Sequence, residues 1–191
     1  MANMKPGERK LQILQALAQM LESPKGEKIT TAALAARLDV SEAALYRHFA
    51  SKAQMYEGLI EFIETTIFTL INQITSKEEN GRAQALNMAG MLLDFAEQNA
   101  GMTKVLIGDA LVNEDERLQV RMNQFVERVE LALRQAWKLA ATQGEIPDSQ
   151  STARAAMMMA FVLGRWHRFA KSGFQQTPSE GAMLMLSLLA A

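Results

Sequence analysis

Hydrogen-bond donors crowd into one stretch of this 191-residue chain, Thr30 to Lys52, which reads TTAALAARLDVSEAALYRHFASK. Thr30, Thr31, Ser41 and Tyr46 bring hydroxyls, His48 an imidazole, and Arg47 and Lys52 cations. Such groups suit phosphate oxygens and base edges, and the small Ala44 among them could meet a thymine methyl. No Gly-rich phosphate loop, Ser-His-Asp pattern or acid pair stands out elsewhere, so nothing points to an enzyme.

These side chains need two short helices and a tight turn to hold them. Thr30 and Thr31 can cap a first helix, on which Leu34, Ala35 and Leu38 recur at helical spacing, with Ala35 small where two helices nearly touch. Asp39 tolerates the left-handed backbone of a sharp turn, though Gly would do so better, and Val40 closes the turn. Ser41 caps the next helix, which turns Leu45 and Phe49 to the core and leaves Ser41, Glu42, Ala44, Tyr46, Arg47 and His48 on its other faces. This is a helix-turn-helix pattern, whose second helix enters the DNA major groove. Capping accounts for the Thr30, Thr31 and Ser41 hydroxyls almost as well as phosphate contact does. Arg47 fits a guanine reader and a solvated charge equally.

Composition bounds the rest. With 49% of its residues hydrophobic, the chain can build a sizeable core. It has no Cys, which excludes disulfides and thiolate chemistry, and its two His lie far apart in sequence, so neither metal nor cofactor is expected. Signal-peptide character is missing and the longest apolar run, Ala155 to Gly164, is short of a membrane span, so a cytoplasmic place is expected. Net charge is −1, but unevenly spread: residues 1–52 hold 8 Lys or Arg against 5 Asp or Glu, and residues 53–191 hold 12 against 16. The positive end carries the donor-rich stretch.

Read in order, the chain predicts an all-α protein of about nine helices: a helix-turn-helix domain at 1–51 and a larger helical dimerisation and partner- or ligand-binding domain at 52–191. Residues 1–7 read as a loose arm, and Glu8–Glu22 as a helix with Leu11, Leu14, Leu17, Ala18 and Leu21 in its stripe, ended by SPKG at 23–26. A Ser51 and Gln54 capping box starts a long helix at Lys52, a lever joining the two domains, striped by Met55, Leu59, Phe62, Ile63, Ile67, Leu70, Ile71 and Ile74. A fifth helix follows KEENG and runs to about Asn99, then a shorter one to about Val112. Asn113 with Glu116 is expected to cap a seventh, striped from Met122 to Ala140. The eighth, Ser151 to about Lys171, is apolar enough to be buried on every side, and Thr177, Pro178 and Glu180 are expected to cap the ninth. The last two helices carry more apolar surface than one small domain covers, which predicts a homodimer.

LYRHFASK closely resembles the LYxHFxSK signature that ends the DNA-binding domain of TetR-family regulators, and VSEAALYRHF is shared with the nucleoid occlusion branch of that family. LIEFIE at 59–64, NAGMTKVLIGDAL at 99–111 and RLQVRMNQFVERVE at 117–130 extend the resemblance over most of the chain. It implies that Tyr46, His48 and Lys52 grip phosphates beside the recognition helix. It also implies a homodimer on a palindromic nucleoid site, joined through its last two helices, that antagonises polymerisation of the division protein FtsZ. The FtsZ C-terminal tail would lie between the fourth and fifth helices, against Phe62, Leu70, Met91, Asp94, Gln98 and Asn99. Phe62 fits the apolar anchor and Asn99 the edge, but Leu70 and Gln98 stand where basic side chains are expected and Asp94 where a small one is. The alternative within the family is a transcriptional repressor released from DNA by a small molecule. An enzyme or a purely helical scaffold that has lost DNA binding is the third possibility.

Other residues have plain readings beside functional ones. His167 in GRWHRF reads as a buried or interface histidine, and Glu61 with Glu64 as a solvated helix edge. The 13 Met, with Met157, Met158 and Met159 together, read as core filling ahead of an adaptable ligand cavity.

Overall fold

The structure is a computed structural model that describes residues 7–23 and 29–191; the expected arm at 1–6 and most of the SPKG helix stop lie outside the described residues. Among the described residues there are nine α-helices and no strand: α1 Glu8–Leu21, α2 Thr31–Arg37, α3 Glu42–Tyr46, α4 Lys52–Lys77, α5 Gly81–Gln98, α6 Ala100–Leu106, α7 Glu116–Thr142, α8 Ser151–Lys171 and α9 Ala182–Leu189. No helix among them is long and apolar enough to cross a membrane.

Helices α1 to α3 form a head against the start of α4. Its core is Ile13, Leu17, Leu34, Ala35, Leu45 and Phe49. Leu11, expected in the α1 stripe, is 45% exposed, because Ile13 takes the inward position instead. The body is built around α5, which touches α4, α6, α7, α8 and α9. Ile63, Ile67, Phe125, Trp137 and Trp166 fill the space between the helices without exposure, joined by Met88, Met122, Met158 and Met159. Core filling is therefore the role of those methionines. The Trp166 indole donates to the Leu92 carbonyl at 3.0 Å, tying α8 to α5.

Four helix ends differ from expectation. At α4 the Ser51 hydroxyl accepts from the Gln54 amide as expected, but the Gln54 side chain accepts from Ala50 N–H at 2.8 Å, one residue before the box position. Helix α6 stops at Leu106, because Gly108 turns left-handed (φ 82°), and a short 3-10 turn at Asp109–Leu111 follows. Asn113 is itself left-handed (φ 65°) and cannot cap; Asp115 does, accepting from Arg117 N–H at 3.2 Å. Before α9, Thr177, Pro178 and Glu180 give their carbonyls to the Arg165 guanidinium at 2.7–2.9 Å, and a left-handed Gly181 starts the helix without a side-chain cap.

Helix α8 is not buried on every side. Ala155, Met158, Val162 and Trp166 face the core, whereas Ala156, Met157, Ala160, Gly164 and His167 are exposed, so the buried-histidine reading of His167 does not hold within one chain. Exposure continues on α9, with Leu184 at 69% and Leu188 at 70%.

Head and body meet where α6 crosses α1. Gly101 permits this: a Cβ there would stand 1.9 Å from the Ala18 carbonyl oxygen. Close by, the Lys104 ammonium donates to the Ser23 carbonyl at 2.6 Å, and burial pulls its pKa below the ordinary lysine value. Gly101→Ala should force α1 and α6 apart at a cost of about 3 kcal/mol, read as a lower urea midpoint. Gly90→Ala, whose added methyl would meet only the Met183 sulfur at 3.8 Å, should not lower it.

Candidate nucleic-acid interface

The turn between α2 and α3 is a helix C-cap built on aspartate. Asp39 N–H donates to the Ala36 carbonyl at 3.2 Å and Val40 N–H to the Ala35 carbonyl at 3.0 Å, with Asp39 left-handed at φ 52°. This paired bonding usually has Gly at the left-handed position. Asp accepts the same backbone at modest cost, so the turn survives the departure.

Both caps form as expected. The Thr30 hydroxyl accepts from Ala33 N–H at 3.1 Å and the Ser41 hydroxyl from Ala44 N–H at 3.2 Å. Each contributes about 1 kcal/mol, and each keeps its proton free for an outside acceptor. Thr31 differs. Its hydroxyl donates to Glu42 across the helix pair at 2.5 Å, which joins the starts of α2 and α3 and commits the donor a phosphate would use. Nothing in the sequence marks Glu42 for this role, since eleven positions separate it from Thr31.

Outward from the buried Leu45 and Phe49 stand Tyr46, 45% exposed, and Arg47, also exposed, with Ala44 and His48 partly so. Arg47 has no ion-pair partner among the described residues, which leaves its guanidinium free to reach a base edge. Lys52 sits apart from this group. Its ammonium pairs with Glu114, in the segment between α6 and α7, and lies 5.6 Å from the centre of the Tyr56 ring. Burial, and after it the Glu114 carboxylate, holds the Tyr56 phenol above its ordinary pKa, so it stays protonated. Neither Glu114 nor Tyr56 was visible as a partner of Lys52 in the sequence.

The expected partner-binding residues lie on α4, with Phe62 and Leu70, and along α5 to its C-cap, with Met91, Asp94, Gln98 and Asn99. Leu70, Met91 and Asp94 line an open cleft of about 500 Å³ between α4, α5 and α9, with Ile74, Leu86 and Met183. Gln98 and Asn99 belong to another cleft, against α1, and the Asn99 amide is engaged with the Phe95 carbonyl at 2.8 Å. Phe62, 41% exposed, lines neither. Of the acid pair on α4, Glu64 binds the Arg121 guanidinium at 2.7 Å while Glu61 is exposed. No group of three or more His, Asp or Glu among the described residues could hold a metal ion.

Comparison with known proteins covers both head and body. The profile described as "Bacterial regulatory proteins, tetR family" matches residues 13–59, and "Tetracyclin repressor-like, C-terminal domain", of the SlmA-like type, matches residues 82–190. The chain is 49% identical over 177 residues to the nucleoid occlusion factor SlmA of Marinomonas sp. (strain MWYL1), covering 92% of this chain and 90% of that protein. It is 47% identical over 195 residues to SlmA of Photobacterium profundum, covering 100% and 98%. Among solved structures it is similar in fold to the TetR family transcriptional regulator PfmR from Thermus thermophilus, with TM-score 0.79 at 17% identity over 94% of this chain and 97% of that one. The fatty acid degradation regulator FadR from Bacillus halodurans superposes with TM-score 0.80 at 13% identity, covering 98% and 97%.

The two cations should separate cleanly in DNA-binding measurements. Lys52→Ala should weaken binding about equally on all sequences, and Arg47→Ala should relax preference at one base pair by about 1–3 kcal/mol, read by selection from random-sequence DNA. Altered preference in the Lys52 variant would reverse the assignment.

Proposed function

Because this chain belongs to the TetR family of bacterial regulators, in the branch of the nucleoid occlusion factors, we propose that it acts as a DNA-bound homodimer that antagonises FtsZ assembly over the nucleoid. What carries the reading is that the relation runs through head and body alike, so the part that meets DNA and the part that meets a division protein come from the same relatives. The chain is a DNA-binding regulator. Residues 1–51 are its DNA-binding unit and residues 52–191 its dimerisation and partner unit. Thr30, Thr31, Ser41, Ala44, Tyr46, Arg47, His48 and Lys52 are its DNA-facing residues, Thr31 acting there through its bond to Glu42.

Dimerisation through α8 and α9 is supported by what one chain leaves uncovered. Ala156, Ala160 and Gly164 recur every fourth residue on the exposed face of α8, small enough for another helix to approach closely, and Leu184 and Leu188 lie exposed on α9. Burying leucines at a two-fold axis is the economical remedy. Two linked heads then reach two half-sites of a palindrome, and their small positive excess counts twice.

The FtsZ tail is assigned to the surface between α4 and α5. Its apolar cleft at Leu70, Ile74 and Met91 supports this, with Lys77 as a cation for an acidic tail and Glu78 and Asp94 as acids that oppose one. A small-molecule repressor is the weaker reading, since Ile67, Phe125, Trp137 and Trp166 already fill the space such a ligand would need.

FtsZ sedimentation, with and without DNA selected by this protein, tests the division role. Loss of polymer only when DNA is present is the expected result, and DNA binding without effect on polymer would transfer the reading to transcriptional repression. Leu188→Glu should give a monomer in sedimentation equilibrium and weaken binding to the palindrome by roughly 100-fold; a variant that stays dimeric would remove α9 from the interface.

A further inference from the structure

Lys52 opens α4 directly after the helix-turn-helix, yet its ammonium is already engaged inside the protein. It pairs with a carboxylate oxygen of Glu114, 62 positions away, and the two side chains are only 22% and 15% exposed. Among the described residues Glu114 has no other cation: the neighbouring Arg117 serves Glu57 at 3.0 Å and Asp115 at 3.3 Å, and Lys104 serves the Ser23 carbonyl. Glu114 and a DNA phosphate are therefore rivals for one charge. A phosphate brought to Lys52 with Glu114 still in contact would set two anions side by side, where each repels the other.

We propose that Glu114 is a positioning residue for DNA binding, which holds Lys52 back in the free protein and gives it up when a phosphate docks. The inference rests on the reading above that Lys52 meets DNA. The segment that carries Glu114 is built to let go. Left-handed residues at Gly108 and Asn113 bracket a 3-10 turn of three residues, and Val112 between them is 67% exposed. Its far end keeps an anchor of its own, because Asp109 pairs with Lys171 on α8. Losing Lys52 thus leaves Glu114 held by its amide on the Leu111 carbonyl at 3.0 Å, while Asp115 stays as the cap of α7 and the core stays closed. The exchange couples head and body: whatever fixes Glu114 in place must lower DNA affinity, and DNA must loosen residues 112–114 by the same free energy.

Glu114→Gln keeps the shape and removes the charge. It should raise affinity at least roughly fivefold on selected and random DNA alike and leave the slope of the salt dependence unchanged, because Lys52 neutralises one phosphate in either complex. In a Lys52→Ala background the same change should do nothing, and in the wild-type protein DNA should speed amide exchange at residues 112–114. Unchanged or weaker binding by Glu114→Gln, or an equal gain without Lys52, would overturn the role of Glu114, the latter because it would report only the removal of a negative charge. If Glu114→Gln does not fold, Glu114→Ala should give the same sign of effect, again only with Lys52 present, and a loss or an equal gain without Lys52 would overturn the proposal. Wild-type protein that binds no DNA at all would overturn the proposed function and this inference together, so the two failures are told apart.

Discussion

One helix has to satisfy two cores. The first turns of α4 present Met55, Tyr56 and Leu59 to the head, where the Phe49 and Leu14 side chains come so close to Gly58 that an added Cβ would meet them at 3.2–3.3 Å. Farther along, Ile63, Ile67 and Ile71 enter the body, and Phe68 meets Phe125 edge-on at 5.8 Å. Because an α-helix has a fixed rise and turn per residue, these two faces cannot move independently. The direction in which α3 points is thereby referred to the packing of α5 and α7, and a dimer formed at α8 and α9 inherits the spacing of its two heads from the same rod.

Cations on this chain are few relative to the phosphate surface they would meet, and several of them are committed to internal work. Lys104 and Arg165 hold backbone carbonyls, Arg121 holds Glu64, and Arg128 lies 4.0 Å from the centre of the Phe68 ring. A net charge of −1 understates how little free positive charge is left for DNA. Affinity must then come from the donors of the helix-turn-helix and from doubling by dimerisation rather than from a broad basic field. In such a protein the state of a single lysine matters.

Apolar surface follows a similar division. The body closes its core with tryptophans whose rings are fully buried, and still leaves the small-residue face of α8 and the leucines of α9 exposed. The hydrophobic effect favours covering such a patch, whichever surface does so. The cleft beside α4 and α5 ends against Met183 of α9, so a peptide bound there would lie next to the face assigned to dimerisation. Its apolar lining with charges of both signs, Lys77 against Glu78 and Asp94, distinguishes it from a plain basic groove for an acidic tail.

Elements that depend on neighbours a few residues apart were legible in the sequence. Caps at Thr30, Ser41 and Ser51, the tight turn at Asp39 and the stripes of α4 and α7 could be read there because helix capping and helical periodicity act within one or two turns. The donors of the candidate interface were legible for the same reason, since one short helix displays them. One cap was misread: Asn113 was expected to open α7, but the chain's reversal puts it in a left-handed conformation and Asp115 caps the helix instead. What distant residues do to each other was settled by the packing of the folded chain. It engaged Lys52 with Glu114 and Thr31 with Glu42, turned half of α8 outward, and set Leu70 of α4 beside Met91 and Asp94 of α5 in one cleft. Those outcomes turn on the angles at which helices cross and on backbones that meet where Gly101 has no side chain, and a crossing between segments some eighty residues apart leaves no periodic trace in either of them.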